Sequence, residues 1–297
     1  MIQLLYIFWD PKPEIFILPV VHYPILWYGV LFALGFVLGF PIFVGILERF
    51  FRLRPEFEAG DIKGESGRPN LHKQAAGLAD KLTIYMVVAT VLGARLGHLI
   101  FYEAPSYYLS NPLQILAVWK GGLSSHGAAV GIVLVLGYFS YRFRKEMRHL
   151  TWLGLLDFVC VPTALAGACI RVGNFFNQEV LGVVTSAPWA IVFGHPADHS
   201  LPAPRHPVQL YEAVFYLIAF LLLWRLTFLR KFLVERGRLL GLFLVLIFGF
   251  RIIVEHWKLE QSVLMPFAYD ITMGQILSVP AVLVGFWLYF RKRKLVL

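Results

Sequence analysis

The sequence predicts an all-α integral membrane protein of seven transmembrane helices, its N-terminus outside and its C-terminus in the cytoplasm. Three observations lead there. Hydrophobic residues fill 58% of the 297 positions and charged residues only 15%, far less charge than a soluble domain of this length carries. Mainly apolar runs of about twenty residues, the length that crosses a bilayer, recur along the whole chain. Lys and Arg gather in every second connection between those runs, as they do in cytoplasmic loops.

Residues 1–23 come first and do not read as a secretory signal, because no basic stretch opens them and "DPKPE" interrupts the apolar run. The spans then follow at 25–47, 82–101, 124–141, 152–171, 208–229, 239–256 and 271–290. The cytoplasmic loop 48–81 holds Arg49, Arg52, Arg54, Lys63, Arg68, Lys73 and Lys81, with a polar stretch, "GDIKGESGRPN", at 60–70. Arg142, Arg144, Lys145 and Arg148 mark loop 142–151, Arg230, Lys231, Arg236 and Arg238 mark 230–238, and Arg291, Lys292, Arg293 and Lys294 mark the tail. The alternate connections hold one basic residue each: Lys12, then Lys120 in 102–123, Arg205 in 172–207 and Lys258 in 257–270. The chain is thus expected to be one seven-span domain, 1–297, with 172–207 an outer head region between spans four and five.

The net charge of +9 belongs to these short loop clusters and not to a nucleic-acid-binding face. Cys160 and Cys169 lie nine apart in one apolar segment, which suits packing and neither a disulfide nor a metal site. No internal repeat of the inverted-transporter kind is visible.

With this orientation the unusual polar residues fall toward the outer side. Tyr28 opens span one, His126 opens span three, Arg171 closes span four, and "RHPVQLYE", with His206 and Glu212, leads into span five. Arg251 and Glu255 stand one helical turn apart in the outer half of span six. Ionisable groups in or beside spans are costly and face a protein-lined or watery cavity. The run "IRVGNFFNQEVLG" (170–182) therefore places Arg171, Asn174, Asn177 and Glu179 on an outer chamber. Two arginines there point to a phosphate, since the planar guanidinium binds phosphate oxygens in bidentate fashion and keeps its charge. An outer-leaflet phospholipid headgroup is the nearest one. Each residue taken singly also has a plainer reading. Arg251 with Glu255 fits a structural ion pair, His126 a satisfied buried histidine, Tyr28 an interface aromatic, and Arg95 with Asp157 a pair holding the bundle together. Convergence carries the case.

The ordered pieces "LWYG" (26–29), "GARLGHLIFY" (93–102), "WKGGLSSHGAAVG" (119–131), "IRVGNFFNQEVLG" (170–182), "RHPVQLYE" (205–212), "FRIIVEHWK" (250–258) and "ITMGQILSVP" (271–280) resemble those of the phosphatidylglycerol:prolipoprotein diacylglyceryl transferase family. The resemblance spans nearly the whole chain. It implies a bacterial inner-membrane enzyme, active on the periplasmic side, that moves the diacylglyceryl group of phosphatidylglycerol onto the lipobox cysteine of an exported prolipoprotein. The product is a thioether, glycerol phosphate leaves, and no cofactor or metal is implied. By motif, Tyr28, His126, Arg171, Asn174, Glu179, Gly182, Arg251 and Glu255 match the family's functional positions, and His206 and Tyr211 fall in its outer "HPxQLYE" stretch. Asp157 matches a polar residue of the fourth span. Three departures stand out: Ile247 where members often carry tyrosine, Lys258 where they carry arginine, and a longer first cytoplasmic loop.

The implied chemistry makes two demands. The thiol must become a thiolate, which suits His126 as base, although arginines beside the thiol also lower its pKa without a dedicated base. The departing phosphate must be stabilised, which suits Arg171 and Arg251; Glu255 either orients Arg251 or is itself the base. Tyr28 and Asn174 are expected to hydrogen-bond the headgroup, with Glu179 and His206 also binding the lipid and Gly182 permitting close backbone approach. Two other classes compete. An intramembrane serine protease is prompted by "GGLSSHG", yet adjacent Ser125 and His126 diverge on a helix. A phospholipid transporter would use the same arginines without chemistry.

Overall fold

A computed structural model describes residues 6–19, 23–53, 70–101, 124–145, 147, 149–259 and 272–291. The helices are α1 (Trp27–Arg52), α2 (Leu71–Phe101), α3 (Ser125–Arg142), α4 (Trp152–Phe176), α5 (Val208–Leu226), α6 (Arg230–Val234), α7 (Arg238–Val254) and α8 (Met273–Phe290). Five short strands accompany them: β1 (Ile7–Trp9), β2 (Glu14–Leu18), β3 (Tyr23–Leu26), β4 (Ile191–Phe193) and β5 (Pro204–Arg205). Among the described residues, six helical segments are long and apolar enough to cross a membrane: α1, α2, α4, α5, α7 with the turn that follows it, and α8. The protein is therefore a mostly helical, multi-pass membrane protein. The expected third span forms α3, whose ends carry His126 and Arg142 and whose 18 residues are not among those six segments. The expected outer segment 102–123, the polar stretch 60–69, Arg148 and the tail residues Lys292, Arg293 and Lys294 lie outside the described residues.

The chain divides into two compact units, Val44–Phe158 and the remainder, Met1–Phe43 with Val159–Leu297. In the Val44–Phe158 unit, α2 and α3 meet along glycines. A Cβ on Gly127 would lie 2.2 Å from the carbonyl oxygen of Gly93, and one on Gly131 would lie 2.4 Å from that of Ala89, so the two backbones touch directly as small-residue seams allow. Ser124 caps α3 by accepting from the Gly127 N–H at 3.4 Å, while its own N–H donates to the Ala94 carbonyl at 2.9 Å. The predicted loop 48–81 is helical at both ends, because α1 runs on to Arg52 and α2 begins at Leu71. Glu48 holds those extensions, pairing with Arg52 one turn on and with His72 at 3.0 Å. Arg95 and Asp157 are both buried in this unit.

The other unit contains the N-terminal part of α1 and the C-terminal part of α4, with α5, α6, α7, α8 and a small head. In the head β1 runs parallel to β4, with Ile7 opposite Ile191, and β4 runs antiparallel to β5; β2 and β3 form a separate hairpin. Phe175, Leu181, Ile191 and Phe193 make the buried core beneath β4, closed by Trp9 and Leu210. These sheets were not expected, because strands of two to five residues are too short to show an alternating pattern. Among the helices, Phe215 of α5 stacks on Phe250 of α7 at 3.9 Å, and α7 meets α8 where Gly241 and Gly285 pack backbone to backbone.

Candidate active site

The polar run that ends α4 is self-supporting. The helix continues past the predicted end of its span to Phe176, so Arg171 and Asn174 both stand in its last turns. Arg171 donates to Asn174 Oδ1 at 3.0 Å, and Asn174 Nδ2 donates to Glu179 Oε1 at 2.7 Å. Asn177 adds a weaker donation to the same oxygen at 3.4 Å. To bring Glu179 back onto the helix end, the chain places Gln178 and Val180 at φ 52° and 56°, a left-handed conformation that is uncommon for any residue but glycine and a marked outlier for a β-branched one. Neighbouring bonds hold it there. Glu179 N–H donates to the Asn174 carbonyl at 3.0 Å, Gln209 donates to the Glu179 carbonyl at 2.7 Å, and Gln178 accepts from the His195 N–H at 2.8 Å.

A second network joins α4, α5 and the end of α7. Glu212 is completely buried, and its carboxylate sits 3.1 Å from Arg171 Nε and 2.9 Å from Lys258 Nζ. The arginine contact is an ion pair whose angle falls short of a hydrogen bond. Tyr216 also donates to Glu212, at 3.3 Å. Lys258 reaches on to Glu255 at 3.5 Å. Arg251 stands one turn before Glu255, whose N–H donates to the Arg251 carbonyl, and its charge acts on Tyr216 together with that of Arg171. Among the described residues Arg251 makes no ion pair, and its Nε is buried without a hydrogen-bond partner, as is Glu255 Oε2. The Glu255 carboxylate, for which sequence spacing offered Arg251 as partner, is thus matched to Lys258.

Gly182 knits the head to this network. It bridges Lys258 in antiparallel fashion, and its carbonyl accepts from Arg205 at 3.1 Å. A Cβ at Gly182 would lie 2.2 Å from the His206 carbonyl oxygen. The close approach expected of Gly182 is therefore made to the protein's own backbone. His206 Nδ1 lies 3.1 Å from the Tyr211 hydroxyl, which accepts from Trp189 Nε1 at 2.7 Å. An indole N–H only donates, so the Tyr211 hydroxyl keeps its own proton while it accepts from Trp189. Tyr28 packs over Gly173, where a Cβ would come within 2.9 Å of its ring, and it lies within electrostatic reach of Arg171 and Glu179.

Of the residues expected at the site, Tyr28, Arg171, Asn174, Glu179, Gly182, His206, Arg251 and Glu255 belong to one compact unit. His126 stands exposed in the first turn of α3, in the Val44–Phe158 unit. Ser124, one of the serines of "GGLSSHG", is a buried helix cap. Asn174 is 6% exposed with its side chain engaged on both sides, so it positions Arg171. Sequence reasoning placed Glu212 on the outer side without giving it a role at the site, and left Tyr216 out. Two of the three departures are absorbed structurally, since Ile247 packs with Ala168, Tyr216 and Ala219 and Lys258 joins two carboxylates. Within the head, His195 and Gln178 (3.2 Å) hydrogen-bond Asp10, and these bonds hold the Asp10 carboxyl below its ordinary pKa.

Residues 15–291 match the family described as prolipoprotein diacylglyceryl transferase. A relative from Tolumonas auensis is 40% identical over 285 residues, covering 94% of this chain and 95% of its own. One from Chloroherpeton thalassium is 39% identical, covering 97% and 95%, and one from Protochlamydia amoebophila is 33% identical, covering 98% and 96%. All three carry the name phosphatidylglycerol–prolipoprotein diacylglyceryl transferase. This chain belongs to the prolipoprotein diacylglyceryl transferase family.

Proposed function

We propose that this protein transfers the diacylglyceryl group of phosphatidylglycerol to prolipoproteins, the first step of lipoprotein maturation. It works as a seven-span protein of the bacterial inner membrane, N-terminus outside and C-terminus in the cytoplasm, with its site toward the periplasm. The acceptor is the lipobox cysteine that follows a signal peptide. Its thiolate attacks the glycerol carbon bearing the phosphodiester; a C–S bond forms, the C–O bond breaks, and glycerol phosphate leaves with the electron pair.

The observation that carries this reading is the family match over residues 15–291; within the site, Arg251 makes no ion pair among the described residues, while Arg171 is held by Glu212 and Asn174. Arg251 binds the phosphate and Arg171 contributes a fixed positive charge; removing one such donor costs on the order of a hundred- to thousandfold in rate. Glu255 and Lys258 set the charge balance beside Arg251. Tyr28, Glu179 and His206 line the headgroup side, and Asn174 and Gly182 hold its frame. His126 is assigned the thiol proton on the strength of its motif and of imidazole chemistry near neutral pH.

The test is conversion of labelled phosphatidylglycerol by the purified protein with a lipobox peptide, reading thioether product and released glycerol phosphate. A protein that binds the lipid and converts none of it is a carrier, and labelling by a fluorophosphonate marks a serine hydrolase; either result overturns the assignment. In the same assay His126→Gln is expected to be severely impaired at pH 7 and to recover toward the thiol's own pKa of about 8.5, where thiolate forms unaided. Full activity of that variant at pH 7 would remove His126 as the base and leave the transfer reaction standing.

A further inference from the structure

The Glu255 carboxylate is seated in a space that exists because residue 274 has no side chain. A Cβ built on Gly274 would lie 2.3 Å from Glu255 Oε1, 2.5 Å from Cδ and 2.8 Å from Oε2, so the whole carboxylate occupies the volume a methyl group would take. Gly274 is the second residue of α8, and the end of that helix is itself fixed. Thr272 and Gln275 form a capping box, and Gln275 Nε2 donates at 3.2 Å to the Ile252 carbonyl on α7. Neither wall yields easily. From that seat Glu255 reaches Lys258, Lys258 bonds Glu212, and Glu212 pairs with Arg171, so displacing the carboxylate acts on the chain of charges that ends at Arg171.

We propose that Gly274 is a positioning residue for the transfer reaction, holding the Glu255 carboxylate beside Lys258 and Arg251 by leaving its seat open. This rests on the reading of Arg251 and Glu255 as the phosphate side of the site. Because the atoms a Cβ would meet are the far end of a flexible side chain, Gly274→Ala is relieved by swinging the carboxylate away. Alanine also favours a helix over glycine. The substitution should therefore leave folding intact and misplace the charge.

The experiment compares Gly274→Ala, Glu255→Asp and their combination with wild type in the phosphatidylglycerol and lipobox-peptide assay, together with thermal midpoints in detergent. Gly249→Ala is the control, since a Cβ there meets nothing within 4 Å. Expected are a Gly274→Ala protein with an unchanged or higher midpoint and a kcat lower by about tenfold or more, as small misplacements produce. The Gly249→Ala protein should stay within about twofold of wild type. The aspartate carboxylate ends one methylene short of the seat, so adding alanine at 274 to Glu255→Asp should cost far less than it does in wild type. A Gly274→Ala protein with wild-type kcat overturns the proposal. So does an alanine penalty undiminished beside aspartate, which would make the effect one of helix packing. A wild-type protein that converts no phosphatidylglycerol fails the functional reading instead, and the two failures are told apart by that measurement.

Discussion

Arg171 and Arg251 differ in what already engages them, and that difference predicts two kinds of loss. Arg171→Ala strips one partner from the fully buried Glu212, and an uncompensated buried charge is strongly destabilising; Lys258 remains to soften the effect. The variant should lose both activity and thermal midpoint. Arg251 Nε has no hydrogen-bond partner to lose, so Arg251→Ala should lower transfer by about a hundred- to thousandfold with little change in midpoint. Arg251→Lys should fall nearly as far, because it keeps the charge without the planar fork. Near-normal transfer by the lysine variant would mean that charge alone suffices. Both arginines were legible in the sequence as equals. What separates them is Glu212, and a long-range ion pair leaves no trace in local spacing. The possible pair between Arg251 and Glu255 was equally readable from their four-residue separation, yet Lys258, folded back by its bridge to Gly182, occupies that place.

The helices were readable and the strands were not, for reasons of length. A run of twenty apolar residues declares itself, whereas β1 is three residues whose partner β4 lies far along the chain. The helix ends were harder than the helix bodies: α4 continues beyond Arg171 because its polar side chains bond one another instead of water. The junction of β1 with the head supports a pH prediction. Asp10, at the end of β1, accepts from Gln178 and pairs with His195, which lowers its folded pKa. A depressed carboxyl adds stability that is fully present above its unfolded value of about 3.9 and is lost as pH falls through the folded value. The thermal midpoint of wild type should therefore drop below about pH 4, and Asp10→Asn should start lower at neutral pH and fall less over the same range. Parallel curves for the two proteins would show that this contact does not contribute.

At the scale of the whole molecule the prediction is one of sidedness. In a background with Cys160 and Cys169 replaced, a cysteine at Ser186 should react with an impermeant reagent added to intact cells stripped of their outer membrane, and one at Arg144 should react only after permeabilisation. Both positions are exposed, so accessibility within the fold does not confound the result. The reverse labelling would place the head in the cytoplasm and remove an exported peptide as substrate. The parallel pairing of β1 with β4 then has a consequence for the order of synthesis. With the head on the outer side, as proposed, residues 7–9 are exported first and kept until 191–193 arrive, an interval of roughly ten to forty seconds at ordinary ribosome speeds. Through that interval Ile7 and Phe8, still exposed in the finished fold, form part of an unpaired apolar strand outside the cell membrane. The head, and with it the frame that Gly182 lends to Lys258, is assembled only once the chain through β5 has emerged, so a nascent protein halted before that point carries Arg171 but no completed site.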